Sequence, residues 1–292
     1  MLRLAVRVRR ADAELVLAEL LELAPGGVEE VDVDLETVEY AVYGSPGELP
    51  QLPDLQAAAG DALVEVRTSE VADDWADRWR EFHKPLVLGE RLAVRPPWEP
   101  EQGTELDLVI DPGQAFGTGA HATTRLCLEL LLDLPLAPGS ADPGGPLAPG
   151  PAAAPGTIDL GCGSGVLAIA AAKLGHGPVL ALDYDQLAVD ATIENAAVNG
   201  VSELIETRRF DLRDEPVPAA PLVLANLLRP LLLAWSATMA GAAHRWIIAS
   251  GLLEHEADVV SQAIGAHGYR EHGRLVSGEW AALLLESADH DR

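Results

Sequence analysis

The chain has 292 residues, 48% of them apolar, which is enough for one large or two ordinary cores and excludes a disordered chain. With 46 acidic and 20 basic side chains the formal charge is −26, so few cations are available to release counterions from a phosphate backbone; direct nucleic-acid binding is not expected, whereas a basic partner, or plain solubility, fits. Two cysteines, Cys127 and Cys162, are too few for a disulfide framework or a cysteine zinc site, so a reducing, cytoplasmic setting is expected, and no apolar run is long enough to predict a membrane span.

Residues 2–9 alternate Leu2, Leu4, Val6 and Val8 with Arg3, Arg7 and Arg9, the period of a strand and not the apolar core of a signal peptide. A helix over 12–23 follows, capped by Asp12 and ended by Pro25-Gly26-Gly27, then strands over 28–35 and 38–43, a short helix near Leu55 and a strand over 63–68. That order predicts a small ferredoxin-like α+β domain over 1–68. It carries no catalytic constellation, which leaves substrate recognition or scaffolding as its role. Residues 69–97 are expected to be a connection opened by a helix over 70–83. There Val71, Trp75, Trp79 and Phe82 share a stripe suited to packing, with Asp73 and Asp74 early and Arg78 and Arg80 late, matching the helix dipole.

The remainder, 98–292, predicts an α/β domain. A helix over 122–132 leads into residues 133–156, where twelve of twenty-four residues are Pro or Gly and six are Ala, a composition that predicts a flexible surface insertion. Strands over 157–160, 179–183, 205–210, 222–225 and 245–250 then alternate with helices over 166–174, 186–199, 230–239 and 253–267, and strands over 269–275 and 280–286 close the chain. Alternation predicts a doubly wound, mostly parallel sheet, and the final pair an antiparallel edge.

Chemistry concentrates at Asp159-Leu160-Gly161-Cys162-Gly163-Ser164-Gly165, the corner between the first of these strands and its helix. A side chain at Gly161 or Gly163 would hold a ligand off the backbone, and glycine adopts positive φ cheaply. The spacing is Gly-x-Gly-x-Gly, with Val166 where the dinucleotide fingerprint has its third glycine, so a ligand without a pyrophosphate fits better. Asp183 ends the next strand, where its carboxylate suits the two ribose hydroxyls of an adenosine. Together these favour S-adenosylmethionine over NAD as cofactor. The plainer alternative is a glycine turn with an acid that only caps a helix.

The segment Asp111-Pro112-Gly113-Gln114-Ala115-Phe116-Gly117-Thr118-Gly119-Ala120-His121-Ala122-Thr123-Thr124-Arg125-Leu126 resembles the loop that marks the ribosomal protein methyltransferase A (PrmA) family, whose members methylate large-subunit ribosomal protein eleven. The resemblance continues in Asp74-Trp75, Phe82-His83-Lys84-Pro85, the glycine motif, Ala225-Asn226-Leu227-Leu228, Ser250-Gly251-Leu252-Leu253 and Gly278-Glu279-Trp280, and so covers essentially the whole chain. The Pro and Gly insertion, Ala122 and the run Leu227-Leu228-Arg229-Pro230 depart from the family pattern.

The resemblance implies a class I S-adenosylmethionine-dependent methyltransferase fold and transfer of methyl groups to lysine or N-terminal amines of that basic ribosomal protein. It also implies a monomer whose N-terminal domain presents the substrate. By position it implies cofactor contacts at Thr124, Gly161, Asp183 and Asn226; Gly163 joins them as a glycine of the same loop, and the side-chain carbonyl of Asn226 can also accept a bond from the incoming amine. Thr124 at a helix start suits a carboxylate or an ordinary cap. Asn226, after an apolar strand, suits an amine ligand or an Asx turn. His121 reads as a general base or, better, as a histidine that hydrogen-bonds its own loop. No metal is expected, because no His-Glu-x-x-His pattern occurs, and no serine-hydrolase chemistry, because no Gly-x-Ser-x-Gly elbow occurs. Methylation of another protein or small amine, and a noncatalytic cofactor-binding role in ribosome assembly, are the alternatives.

Overall fold

A computed structural model describes residues 2–13, 16–17, 20, 23–24, 28–32, 36–44, 49–50, 52–70, 84–111, 121–134, 155–239 and 244–288. The chain divides into two compact units, Met1–Phe82 and His83–Arg292. In the first, β1 (Leu2–Arg9), β2 (Glu29–Asp32), β3 (Thr37–Gly44) and β4 (Leu63–Glu70) form an antiparallel sheet in the order β2-β3-β1-β4, that of a ferredoxin-like domain. Strand alternation turns Leu4, Val6 and Val8 of β1, with Val38, Tyr40 and Val42 of β3, onto one core that also takes Leu55 of α1 (Leu52–Ala59). Of the helix expected over 12–23, Ala13, Val16 and Leu20 enter the same core at helical spacing, and Tyr40 donates its hydroxyl to Ala13 O at 3.0 Å. On the other face Arg3 and Arg7 donate to Glu39 at 2.7 and 3.2 Å; the Arg3 hydrogen bond is the main reason its carboxyl titrates below the ordinary range.

Some expectations change. Glu70, expected to open a helix, closes β4 opposite Leu2. Residues 71–83 of that helix, 33–35 of the second strand and 135–154 of the insertion lie outside the described residues. Within the stretch expected to be a connection, β5 (Leu86–Leu88) and β6 (Leu92–Arg95) form strands that join β7 (Leu106–Val109) in a three-stranded sheet of the second unit. The run Leu92, Ala93, Val94 is buried on both faces, and such a run shows neither helical nor strand periodicity.

The rest of the second unit runs α2 (Ala122–Asp133), β8 (Thr157–Leu160), α3 (Val166–Lys173), β9 (Val179–Asp183), α4 (Gln186–Val198), β10 (Ile205–Arg209), β11 (Leu222–Asn226), α5 (Arg229–Ser236), β12 (Trp246–Leu253), α6 (Ala257–Gly265), β13 (Tyr269–Ser277) and β14 (Trp280–Ser287). The seven-stranded sheet has the order β10-β9-β8-β11-β12-β14-β13, parallel through β12 and antiparallel at β14 and β13. Its direction of progression reverses between β8 and β11, the switch point at whose carboxyl edge ligands bind in such sheets. One core lies between the sheet and α2 and α3, the other between the sheet and α5 and α6. Helix α3 is apolar all round apart from its last residue, Lys173, and is correspondingly buried along its length. The strand expected over 245–250 continues to Leu253 because β14 keeps pairing with it beyond an irregularity at Gly251, and the next helix starts only at Ala257.

Candidate active site

The corner after β8 has the geometry its sequence implies. Gly161, Gly163 and Gly165 have φ of 78°, 54° and 81°, a region costly for any other residue. The amides of Gly161 and Cys162 donate to Leu182 O at 2.8 and 3.0 Å, fastening the turn to the end of β9. At two glycines the space is needed by the protein itself: a Cβ on Gly161 would overlap Cδ2 of Leu227, and one on Gly165 would sit 2.8 Å from Thr192 Cγ2. Asp183 braces the same loop. Its Oδ2 accepts from the Gly163 amide at 2.9 Å and its Oδ1 from the Asp185 amide at 3.0 Å. Burial nevertheless lifts its carboxyl above the ordinary value. Each oxygen keeps a second lone pair for a ligand.

Asp159, which opens the glycine stretch and has no role assigned from the sequence, is 1% exposed. Its Oδ2 accepts from Ala168 N at 2.9 Å, while its Oδ1 has no hydrogen-bond partner among the described residues. Burial, reinforced by Asp183, pushes its carboxyl up to about 7. The unfolded chain releases this proton near pH 4 and the folded one only near 7. The contribution of this one carboxyl to stability is therefore fullest below pH ~4, falls as pH rises through that window, and is level above it, a loss of roughly 4 kcal/mol. Denaturation of Asp159→Asn between pH 4 and 8 is expected to lack that slope. An unchanged slope would mean that the carboxyl ionises freely in the folded protein.

The second cluster lies at the ends of β11 and β12. Asn226 closes β11 in register with Ser250 of β12. Both fall on the face of the sheet that α2 covers, since Leu222 and Leu224, like Trp246 and Ile248, enter that core. Asn226 Nδ2 donates to Thr124 Oγ1 at 3.3 Å, and Thr124 is fully buried in the first turn of α2. Its hydroxyl thus holds Asn226, and the acceptor left to Asn226 is its carbonyl oxygen. The chain then turns so that Leu227 N donates to Ser250 O at 3.0 Å, and Leu227 reaches over Gly161, which brings the two clusters to one edge.

His121 proves to be the N-cap of α2. Its Nδ1 accepts from Thr123 N at 3.3 Å and lies 2.8 Å from Thr123 Oγ1, while its ring meets Trp280 edge-on with centroids 4.7 Å apart. Burial lowers its pKa, so the ring is neutral at pH 7 and suited to accepting. Residues 112–120 of the segment that leads to it lie outside the described residues. Both cysteines are buried free thiols whose pKa burial raises, which makes them unreactive. Among the described residues no cluster of three or more His, Cys, Asp or Glu could hold a metal, and no helix is long and apolar enough to cross a membrane.

Two asparagines drew no reading from the sequence: Asn195, inside the helix expected over 186–199 and found over 186–198, and Asn199, the C-cap of that helix. Asn195 is 3% exposed. Thr192, Asn195 and Asn199 recur at spacings of three and four, so a polar stripe on the inner face of α4 was the available signal.

A doubly wound sheet with this antiparallel edge, a braced glycine corner and an acid at the end of the second parallel strand defines the class I methyltransferases. A crystal structure of a ribosomal protein L11 methylase from Lactobacillus delbrueckii subsp. bulgaricus superimposes with a TM-score of 0.56 at 27% identity, covering 70% of this chain and 98% of that one. The sequence profile of the ribosomal protein L11 methyltransferase (PrmA) family matches residues 47–288, and the chain belongs to that family. The ribosomal protein L11 methyltransferase of Pelotomaculum thermopropionicum is 41% identical over 226 residues, 76% of this chain and 68% of the relative. That of Synechococcus sp. (strain RCC307) is 39% identical over 239 residues, 78% of this chain and 74% of the relative.

Proposed function

We propose that this protein transfers methyl groups from S-adenosylmethionine to lysine or N-terminal amino groups of ribosomal protein L11, with residues 1–68 presenting the substrate. The observation that carries this reading is the meeting, at one sheet edge, of an Asp183-braced glycine loop with an Asn226 held by Thr124. The fit of the cofactor rests on the positive-φ glycines, on the Asp183 lone pairs and on the Asp159 oxygen without a partner among the described residues. When bound, S-adenosylmethionine supplies a methyl group activated on a positively charged sulfur.

Gly161 and Gly163 would hold the cofactor against bare backbone, Asp183 its ribose hydroxyls, and the start of α2 at Thr124 its carboxylate. The amine must arrive neutral, although a lysine with reference pKa of about 10.4 is mostly charged at pH 7. Desolvation on entering the site, beside the partly buried Leu227, would lower that pKa. The Asn226 carbonyl would accept an amine N–H and so orient the nitrogen lone pair for transfer, and the proton shed by the methylated amine would leave to water. The chemistry needs positioning more than a strong base, in keeping with a neutral His121 whose Nδ1 caps a helix. The −26 charge favours approach of a basic ribosomal protein.

Calorimetric titration with S-adenosylmethionine tests the cofactor half. Asp183→Ala is expected to weaken binding by about 100-fold, the loss of two charge-assisted hydrogen bonds of ~1.5 kcal/mol each. A variant that binds as tightly as the wild type removes Asp183 from the site.

A further inference from the structure

Helix α4 does more than cover the sheet. Its inner stripe reaches two segments that are distant in sequence. Thr192 donates its hydroxyl to Gly163 O at 3.1 Å, with Cys162 Sγ at 3.3 Å. One turn on, Asn195 Nδ2 donates to Ser164 O at 2.9 Å while its Oδ1 accepts from Asp111 N at 3.0 Å. A further turn on, Asn199 pairs with both backbone groups of Val109: its Oδ1 accepts from Val109 N at 3.0 Å, and its Nδ2 donates to Val109 O at 2.7 Å. Ser164 belongs to the glycine loop. Asp111 is the first residue of the segment that ends in α2 with Thr124.

We infer that Asn195 is a positioning residue that ties the glycine loop to Asp111, just past β7, so that the cofactor side of the site keeps its place against the end of that strand. The assignment of its amide is fixed by the partners: exchanging oxygen and nitrogen would set NH₂ against the Asp111 N–H and an oxygen against the Ser164 carbonyl. No other residue type reproduces both bonds from that position. Aspartate offers no donor when ionised, glutamine is a methylene longer, and serine is too short to span both. With the side chain 3% exposed, water cannot readily replace either bond. Asn199, by contrast, fixes the end of β7, with a further bond to the Asn195 carbonyl at 2.8 Å, and among the described residues bonds no part of the glycine loop, so it serves as the internal control.

The inference rests on the reading of the glycine loop as the cofactor site, and the test separates the two. Asn195→Ala is expected to raise the dissociation constant for S-adenosylhomocysteine and to lower kcat at saturating cofactor, each by about tenfold, the worth of one buried hydrogen bond. Asn199→Ala is expected to lower Tm and to leave both constants within about twofold, since the part-buried bonds it loses lie away from the loop. A purely structural role would move the two variants alike, and that result, or an Asn195→Ala enzyme with unchanged constants, overturns the inference. Should Asn195→Ala fail to fold, hydrogen exchange of the wild type decides. Added S-adenosylhomocysteine should slow exchange at Asp111 as well as at Cys162–Gly165; slowing at the glycine loop alone overturns the inference. If Asp183→Ala and wild type bind the cofactor equally, it is the cofactor reading that has failed.

Discussion

Asn226→Ala is expected to lower kcat for methyl transfer by about 100-fold, the scale of losing alignment of a reacting pair, while cofactor affinity stays within about tenfold of wild type. The split follows from the geometry. Asn226 sits at the end of β11 with its NH₂ group given to Thr124 at 3.3 Å, so its carbonyl is the part available to an incoming amine. Removing the side chain leaves the Asp183 and Gly163 brace untouched. Asn226→Asp keeps an acceptor but adds a charge that favours the protonated, unreactive amine, so it should be impaired as well. Single-turnover rates at saturating cofactor, with binding measured separately by calorimetry, check both variants. Transfer at the wild-type rate by Asn226→Ala would remove this residue from the reaction.

Gly251→Ala is expected to cost roughly 2–4 kcal/mol of stability and most of the activity, combining a positive-φ penalty with overpacking against backbone. Gly251 has φ of 84°, and a Cβ there would overlap Leu227 O, with Leu227 C at 2.7 Å and Leu227 N at 3.0 Å. Those are main-chain atoms of the residue next to Asn226, so relief of the clash displaces the reacting group itself. Gly268 supplies the control: its φ is 88° and nothing lies within 4 Å of an added Cβ. Gly268→Ala should lose only about 1 kcal/mol and keep its activity. Urea denaturation and transfer assays on the two variants separate conformational strain from the clash, and equal losses in both would show that the close approach to Leu227 is immaterial.

What the sequence made legible was what is decided locally. The corner at Gly161, Gly163 and Gly165 and the acid at Asp183 follow from a strand, a turn and a helix contiguous in the chain, and the helices and strands from 157 onward follow from simple periodicity. Sheet order in the first unit was implied by its β-α-β-β-α-β sequence. The parts that escaped depend on distant partners. Asn195 and Asn199 bond to residues 84 and 90 positions away, so the polar stripe they form shows what it holds only once those partners are in place. Strands β5 and β6 are short, and the buried run Leu92-Ala93-Val94 carries no period of its own. The extension of β12 through Gly251 to Leu253 depends on pairing with β14, which lies beyond an intervening helix. Asp159 reads as an ordinary strand end until its burial is seen.

The central claim is methyl transfer to ribosomal protein L11. The most direct measurement is the intact mass of that protein, taken from a host lacking the enzyme, after incubation with this protein and S-adenosylmethionine, with Asn226→Ala in parallel. Successive methyl increments with the wild type and their loss with the variant are the expected result. An unmodified ribosomal protein, in the presence of calorimetrically demonstrated cofactor binding, would contradict the assignment of this substrate.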